Sequence, residues 1–195
     1  MYPPLAYSAG DAGFDTAALR RQDAAEFERL YRTYAPELGR YLARLSGDAD
    51  LAQDLMQETF VKAYQGLPRT RPDLHPRPWL YKIATNTARS AARVAAWKRV
   101  LPFGDRPPEH PPAGQILLES RYAETDLVER SLAAINPDYA APLLLHWREG
   151  FSIDELCAIL GLSRENLKKR LYRAKKAFST AYAEECARSE EGGSR

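Results

Sequence analysis

The residues best placed to do chemistry in this 195-residue sequence are cations, and they fall in two stretches. Residues 62–99 contain nine lysines and arginines against one acid, Asp73, and residues 164–176 contain seven against Glu165. Residues 1–58 hold ten acids and six arginines. The formal net charge is only +2, so the distribution of charge carries the information. It predicts two contacts with a polyanion, and two solvated helix faces are the alternative.

No group of residues has the spacing of a catalytic or metal site. The histidines His75, His110 and His146 are far apart, and Cys157 and Cys186 form no CxxC motif. There is no Ser/His/Asp spacing, no pair of carboxylates beside a histidine and no glycine-rich phosphate loop. We therefore expect no enzyme activity, no catalytic residue, no metal and no cofactor.

The sequence also lacks targeting and membrane signals. The N-terminus has no basic segment followed by an apolar run, which a signal peptide requires. No stretch approaches the roughly 18 apolar residues of a membrane span. We expect a cytoplasmic protein with no direct membrane insertion.

The sharpest local pattern, a helix-turn-helix, runs from Ser152 to Phe178. Ser152 and Glu155 form a capping box at the start of a short helix, Gly161 turns the chain, and Ser163 caps a longer basic helix. The apolar stripe of that longer helix is formed by Leu167, Leu171, Ala174 and Phe178.

This stripe determines which side chains of the longer helix point outward. In a helix-turn-helix the second helix enters the major groove of DNA, where lysine and arginine neutralise phosphates and Asn or Arg read base edges. The outward set is Arg164, Glu165, Lys168, Lys169, Tyr172, Arg173 and Lys176, with Asn166 also in reach of bases. An ordinary helix pair with a solvated basic face is the alternative.

Apolar periodicity along the chain predicts an all-α protein. It consists of two small helical domains joined by a flexible proline-rich linker, and the second contains the helix-turn-helix. The linker prediction rests on five prolines and two glycines in residues 101–118. The predicted division is a mobile extension (1–22), a first domain (23–100), the linker (101–118), a second domain (119–183) and a disordered tail (184–195).

The first domain contains a basic helix that follows a proline-rich loop. Pro78 is predicted to open a helix to about Arg99, and it is the last of four prolines in the loop formed by residues 67–78. A basic face beside aromatic rings suits single-stranded DNA, whereas a solvated face with Trp79 as a packing residue is the alternative. The cations of the loop are Arg69, Arg71 and Arg77, and the face of the helix is Lys82, Asn86, Arg89 and Arg93.

The preceding helix has a polar face outside its apolar stripe. Asp54, Gln57, Glu58 and Val61 lie on that face. From the residues alone it is either a protein-docking surface or a solvated face.

Three separated parts of the sequence resemble conserved regions of the bacterial sigma-70 family. Residues 52–64 (AQDLMQETFVKAY) resemble the second region, and residues 79–86 (WLYKIATN) resemble its adjoining DNA-melting helix. Residues 132–135, 149–155 and 167–175 resemble the fourth region. Only two regions are present, in the family order and joined by a short linker. The sequence therefore resembles the extracytoplasmic-function group, although its proline-rich loop stands where the family often has a shorter polar one.

The resemblance implies a sigma factor that binds core RNA polymerase and promoter DNA and is held inactive by an anti-sigma factor. Asp54, Gln57, Glu58 and Val61 would dock on the clamp helices of the β′ subunit, and the β subunit would also be contacted. The promoter-melting set would be Arg69, Arg71, Arg77, Trp79, Lys82, Asn86, Arg89 and Arg93. The helix-turn-helix set, which would read the more distant promoter element, would be Arg164, Asn166, Lys168, Lys169, Arg170, Tyr172, Arg173 and Lys176.

The main rival to a sigma factor is a two-domain DNA-binding regulator that acts without polymerase. The acidic face with Asp54, Gln57 and Glu58 argues against it, because a simple repressor has no need of that face.

Overall fold

The computed structural model describes residues 13–100 and 123–192, with side chains described for residues 13–94 and 127–189. The elements are α1 (Thr16–Arg20), α2 (Ala24–Ser46), α3 (Ala49–Gly66), a 3-10 turn (Leu67–Arg69), α4 (Pro76–Val100), α5 (Ala123–Ala134), α6 (Pro137–Leu143), a π-helical turn (Leu144–Arg148), α7 (Ile153–Leu160) and α8 (Arg164–Gly192). Every regular element in this part of the chain is helical, so the all-α prediction is confirmed.

Helices α1 to α4 form the first helical group, in which α2, α3 and α4 pack against one another. The side chain of Asp48 caps α3 by accepting hydrogen bonds from the backbone of residues 50 and 51. Between α2 and α4, the hydroxyls of Tyr41 and Thr85 lie 2.7 Å apart in the buried interior. The group's core is made by Leu30, Leu38, Tyr41, Leu42, Phe60, Ala63, Leu80 and Ala84.

Helices α5 to α8 form the second group, in which α8 packs on α5, α6 and α7. Asn136 caps α6 by accepting a hydrogen bond from the Asp138 amide at 2.8 Å, and Pro137 occupies the first turn. The two groups also touch each other, chiefly through α4 and α7, and their buried residues form one continuous cluster. The chain within the described ranges therefore packs its two helical groups into a shared core.

The ends of the described chain differ from the predicted mobile extension and disordered tail. Residues 16–20 form α1, whose Leu19 is fully buried, and α8 continues through Gly192. A one-turn helix is too short to show periodicity. The polar tail conceals a buried Glu185 whose carboxylate lies 3.5 Å from Arg130. Residues 1–12, 101–122 and 193–195 lie outside the described residues, and the whole of the predicted linker (101–118) falls within the second of these ranges.

Within the described ranges, no helix is both long and apolar enough to cross a membrane.

Candidate nucleic-acid interface

The predicted helix-turn-helix is present as α7 and α8. Ser152 accepts a hydrogen bond from the Glu155 amide, and the Glu155 carboxylate accepts one from the Ser152 amide at 2.8 Å, which completes the capping box. Gly161 ends α7 with φ +65°, a left-handed conformation that suits glycine. Ser163 then caps α8 by accepting a hydrogen bond from the Asn166 amide at 3.2 Å. These local signals set the direction in which α8 leaves the turn.

The outward side of α8 is solvent-exposed over most of the predicted helix-turn-helix set. Tyr172 is 73% exposed. Arg164 lies 2.6 Å from Asp154, and this carboxylate raises the pKa of the Arg164 guanidinium by accepting its hydrogen bond. Such exposed ion pairs contribute little to stability. The exposed members are Arg164, Asn166, Lys168, Lys169, Tyr172, Arg173 and Lys176.

Arg170 differs from the rest of this set. Its side chain is half-buried and lies 3.7 Å from the carboxylate of Asp138, at the start of α6. It therefore faces the interior of the second group more than the exposed surface of α8.

The promoter-melting set is also mostly exposed. Arg69 and Arg71 lie in the exposed turn and loop between α3 and α4, while Trp79 is half-buried. Along α4, Lys82, Asn86 and Arg93 are exposed and share one side of the helix. The structure therefore leaves two loop cations beside a basic helix face.

Arg77 was predicted to lie in the loop, and this placement is wrong. Helix α4 begins at Pro76, two residues earlier than predicted, because prolines at the first turn need no N–H donor. The guanidinium carbon of Arg77 lies 5.3 Å from the centroid of the Tyr81 ring and 4.4 Å from that of the Phe151 ring, and the two rings pack against each other. It donates to the Glu37 carboxylate at 3.2 Å. Arg77 thus joins the two helical groups in this structure.

Glu149 completes what we call the Arg77 cluster: Glu37, Arg77, Tyr81, Glu149 and Phe151. The Tyr81 hydroxyl donates to the Glu149 carboxylate at 2.6 Å, and Arg77 donates to the Glu149 carbonyl at 3.0 Å. Burial raises the pKa of Glu37, and attraction to Arg77 offsets only part of that rise. The side chain of Tyr81 is fully buried in this cluster.

Arg89 is also covered by the second group. Its side chain is 15% exposed, and its Nε lies 2.7 Å from the Asp138 carboxylate. Burial lowers the pKa of the Arg89 guanidinium, although attraction to Asp138 opposes that effect. Arg89 was predicted to share an open face with Lys82 and Asn86. It does not, because α6 packs against that part of α4.

The polar face of α3 is exposed, as a docking surface requires. Asp54, Gln57 and Glu58 are exposed, and Val61 is an apolar side chain left 55% exposed among them. Glu58 lies 2.6 Å from Lys62, whose ammonium also donates to the Thr87 hydroxyl at 3.2 Å. The face is therefore an acidic surface with one apolar residue and no cover from the rest of the described chain.

The residues that join the two helical groups were not predicted from the sequence. Asp138, Glu149 and Phe151 lie in the second group, and nothing in their local spacing indicates a contact with α4.

Among the described residues there is no group of histidine, cysteine, aspartate and glutamate side chains that could hold a metal ion.

The described part of the chain is helical, with an exposed basic face on α8 and a separate exposed acidic face on α3, and comparison with known proteins identifies its family. Residues 30–98 match the family model for sigma-70 region 2, and residues 125–178 match the one for sigma-70 region 4. The RNA polymerase sigma factor CarQ of Myxococcus xanthus is 32% identical over 152 residues, which cover 78% of this chain and 85% of CarQ. The chain belongs to the extracytoplasmic-function group of the sigma-70 family.

Other relatives agree in sequence or fold. The extracytoplasmic-function sigma factor SigL of Mycobacterium tuberculosis is 28% identical, with 80% of this chain and 88% of SigL covered. The sigma factor RpoE of Bartonella quintana, solved with the anti-sigma factor NepR, shares the fold at a TM-score of 0.60 and 22% identity, over 81% of this chain and 97% of RpoE. CnrH, solved with the cytosolic domain of CnrY, shares the fold at a TM-score of 0.59 and 22% identity, over 85% of this chain and 92% of CnrH.

Family membership defines the activity. The chain is a transcription initiation factor whose partners are core RNA polymerase and promoter DNA. It is not an enzyme, because the polymerase performs the chemistry.

Proposed function

We propose that the chain divides this work among three surfaces, on two domains at residues 23–100 and 119–183 joined by residues 101–118. The face Asp54, Gln57, Glu58 and Val61 docks on the β′ clamp helices of core polymerase. The loop and α4 hold the unpaired non-template strand of the promoter. The outward side of α8 reads the more distant promoter element, and the second domain also contacts the β subunit.

The observation that carries this proposal is the separation of the three surfaces by charge and by helix. The acidic α3 face and the basic α8 face are both exposed. Cations on α8 suit the phosphates of duplex DNA, and Asn166 and Arg173 suit base edges. On α4, exposed Lys82, Asn86 and Arg93 lie beside the loop cations, an arrangement suited to a single strand whose bases have left the stack.

Arg77 and Arg89 are not available to DNA in the arrangement that this structure has. Both belong to the promoter-melting set, yet both are engaged by the second helical group in this structure. We propose that they meet DNA only when the two groups separate on the polymerase.

Site-specific crosslinking in an assembled initiation complex tests the three assignments together. A photoreactive amino acid replaces Gln57, Arg71 or Lys169 in turn, in a complex of core polymerase with a promoter that the factor transcribes. We expect crosslinks from position 57 to β′, from 71 to the non-template strand near the start site, and from 169 to upstream duplex. A crosslink from position 57 to DNA, or from 169 to β′, would contradict the assignment.

We also propose a cytoplasmic location and regulation by an anti-sigma factor. Support comes from the family and from the two solved relatives, whose structures contain the partners NepR and CnrY. Affinity purification of the tagged chain from its native host tests this proposal. We expect one stoichiometric protein partner that competes with core polymerase, and its absence under all growth conditions would contradict the proposal.

A further inference from the structure

The loop between α3 and α4 has more backbone acceptors than its own donors can satisfy. In an α-helix each carbonyl accepts from the N–H four residues later. The carbonyl of Tyr64, near the end of α3, would need the N–H of residue 68, which is a proline and has none. Pro72 and Pro76 also contribute no donor to the loop. These carbonyls therefore accept hydrogen bonds either from water or from donors elsewhere in the chain.

Two side chains from the N-terminal segment supply such donors. The Gln22 amide Nε2 donates to the Tyr64 carbonyl at 2.9 Å, and the Thr16 hydroxyl donates to the Pro72 carbonyl at 2.9 Å. These two carbonyls lie on either side of the 3-10 turn Leu67–Arg69. The segment thus holds the loop before and after the turn that carries Arg69.

The N-terminal segment is itself firmly attached. Leu19 is fully buried, and the Asp15 amide donates to the Glu26 carboxylate of α2 at 2.7 Å. The guanidinium of Arg29 lies 4.4 Å from the centroid of the Phe14 ring and donates to the Gly13 carbonyl. Such an anchor on α2 can transmit a fixed position to the loop.

The backbone conformation at Gln22 also supports a role for its side chain. Gln22 has φ +61°, the only left-handed non-glycine residue in the described ranges. Gln22 ends α1. Its backbone N–H donates to the Leu19 carbonyl, and the backbone N–H of Asp23 donates to the Ala18 carbonyl at 3.1 Å. Glycine is the usual residue at such a helix C-terminus. Glycine would relieve the backbone but has no amide side chain to offer Tyr64.

We propose that residues 13–22 are a brace that fixes the conformation of the proline-rich loop, with Thr16 and Gln22 as positioning residues for the contacts that Arg69 and Arg71 make with single-stranded DNA. The inference rests on the proposed role of the loop. Neither Thr16 nor Gln22 touches DNA. Both act by holding the backbone from which the two arginines extend.

The test compares four full-length variants with wild type, each bound to core polymerase, and one of them combines Arg69→Ala with Arg71→Ala to remove the loop cations. Thr16→Val combined with Gln22→Gly removes both donors, Thr16→Ser combined with wild-type Gln22 keeps them, and Arg21→Ala changes an exposed neighbour. The DNA probe is the labelled non-template strand of a promoter mapped by in vitro transcription. A second readout is hydrogen exchange of the amides in residues 67–75. Affinity for core polymerase checks that each variant is folded.

We expect the double variant to bind the single strand about ten-fold more weakly, the effect of losing roughly two hydrogen bonds, with faster exchange in the loop and unchanged affinity for core polymerase. Thr16→Ser and Arg21→Ala should match wild type. The brace would be overturned if the double variant bound DNA with wild-type affinity while Arg69→Ala combined with Arg71→Ala bound it more weakly. That result would leave the proposed role of the loop in place. No effect of the arginine changes would overturn the loop's role and the brace with it.

Discussion

Arg89 of α4 and Asp138 of α6 lie 2.7 Å apart, and this pair joins the proposed promoter-melting helix to the helical group that carries the helix-turn-helix. The same carboxylate lies 3.7 Å from Arg170 of α8. One acid therefore faces a cation from each proposed DNA-binding helix.

Asp138→Asn is expected to loosen the contact between the two helical groups. It replaces the counter-charge of the buried Arg89 with a neutral amide, which weakens the packed arrangement by about 1 kcal/mol because Asp138 is itself half exposed. Small-angle scattering should show a larger radius of gyration than wild type. Glu165→Gln, which removes an exposed acid paired with Lys169 inside α8, serves as the control. An unchanged radius for Asp138→Asn would show that this pair does not hold the groups together.

Glu58→Lys is expected to abolish binding to core polymerase and leave the fold intact. The reversed charge stands in the middle of the exposed α3 face, where like charges oppose docking. Binding of labelled factor to core polymerase measures the effect, and circular dichroism reports on the fold. Glu28→Lys reverses an equally exposed acid on α2 and should bind normally. Normal affinity of Glu58→Lys would remove this face from the account.

Arg173→Ala is expected to weaken promoter binding by roughly 1–3 kcal/mol, the cost of one good base contact. The measurement is the affinity of the holoenzyme for a promoter duplex. Lys175→Ala is the matched control, because Lys175 lies on the same helix with its ammonium 5.3 Å from the centroid of the Trp147 ring. Equal effects of the two substitutions would mean that only general charge matters.

Two glycine substitutions should change stability in opposite directions. Gly161→Ala adds a methyl group in open space but places alanine at φ +65°, so it should lower the free energy of unfolding by about 1 kcal/mol. Gly39→Ala lies inside α2, with ordinary contact at 3.5 Å to Met56, and should raise it by about 0.5–1 kcal/mol. Urea unfolding followed by circular dichroism measures both. A stabilising Gly161→Ala would contradict the turn geometry.

The attachment of the N-terminal segment should depend on pH through Glu26. Hydrogen bonding to Arg29 lowers the pKa of the Glu26 carboxyl below its ordinary 4.5, and the Asp15 amide adds to this effect. A lowered folded-state pKa means that the contribution to stability is complete above pH 4.5 and is lost as pH falls through the folded value.

Glu26→Gln should therefore be less stable than wild type at pH 7, and the difference should shrink as pH falls below 4.5. Urea unfolding at a series of pH values measures it. Glu28→Gln, on the same helix, is the control and should show a small difference throughout. A difference for Glu26→Gln that grows on acidification would contradict the assignment.

Local sequence signals predicted the elements that depend on neighbouring residues. The Ser152–Glu155 capping box, Gly161 and the apolar stripe from Leu167 determine the helix-turn-helix without help from distant parts of the chain. The exposed positions of Glu58 and Lys169 likewise follow from helical spacing.

Contacts between distant segments were beyond the reach of those signals. The position of Arg77 in the sequence predicts a loop cation, but in the fold it contacts the ring of Phe151 and the carboxylate of Glu37, both distant in sequence. Arg89 has the spacing of an open face, and only the packing of α6 covers it. The role of Gln22 depends on Pro68, 46 residues later, which leaves the Tyr64 carbonyl without a backbone N–H donor from its own helix.

Run-off transcription with purified core polymerase on genomic fragments of the host, with and without this protein, tests whether the chain directs initiation at specific promoters. We expect new discrete transcripts that require the protein, that disappear with Glu58→Lys and that persist with Glu28→Lys. Their start sites should share two upstream sequence elements. No new transcripts, together with no binding to core polymerase in the same reactions, would contradict the account and favour a DNA-binding regulator that acts without polymerase.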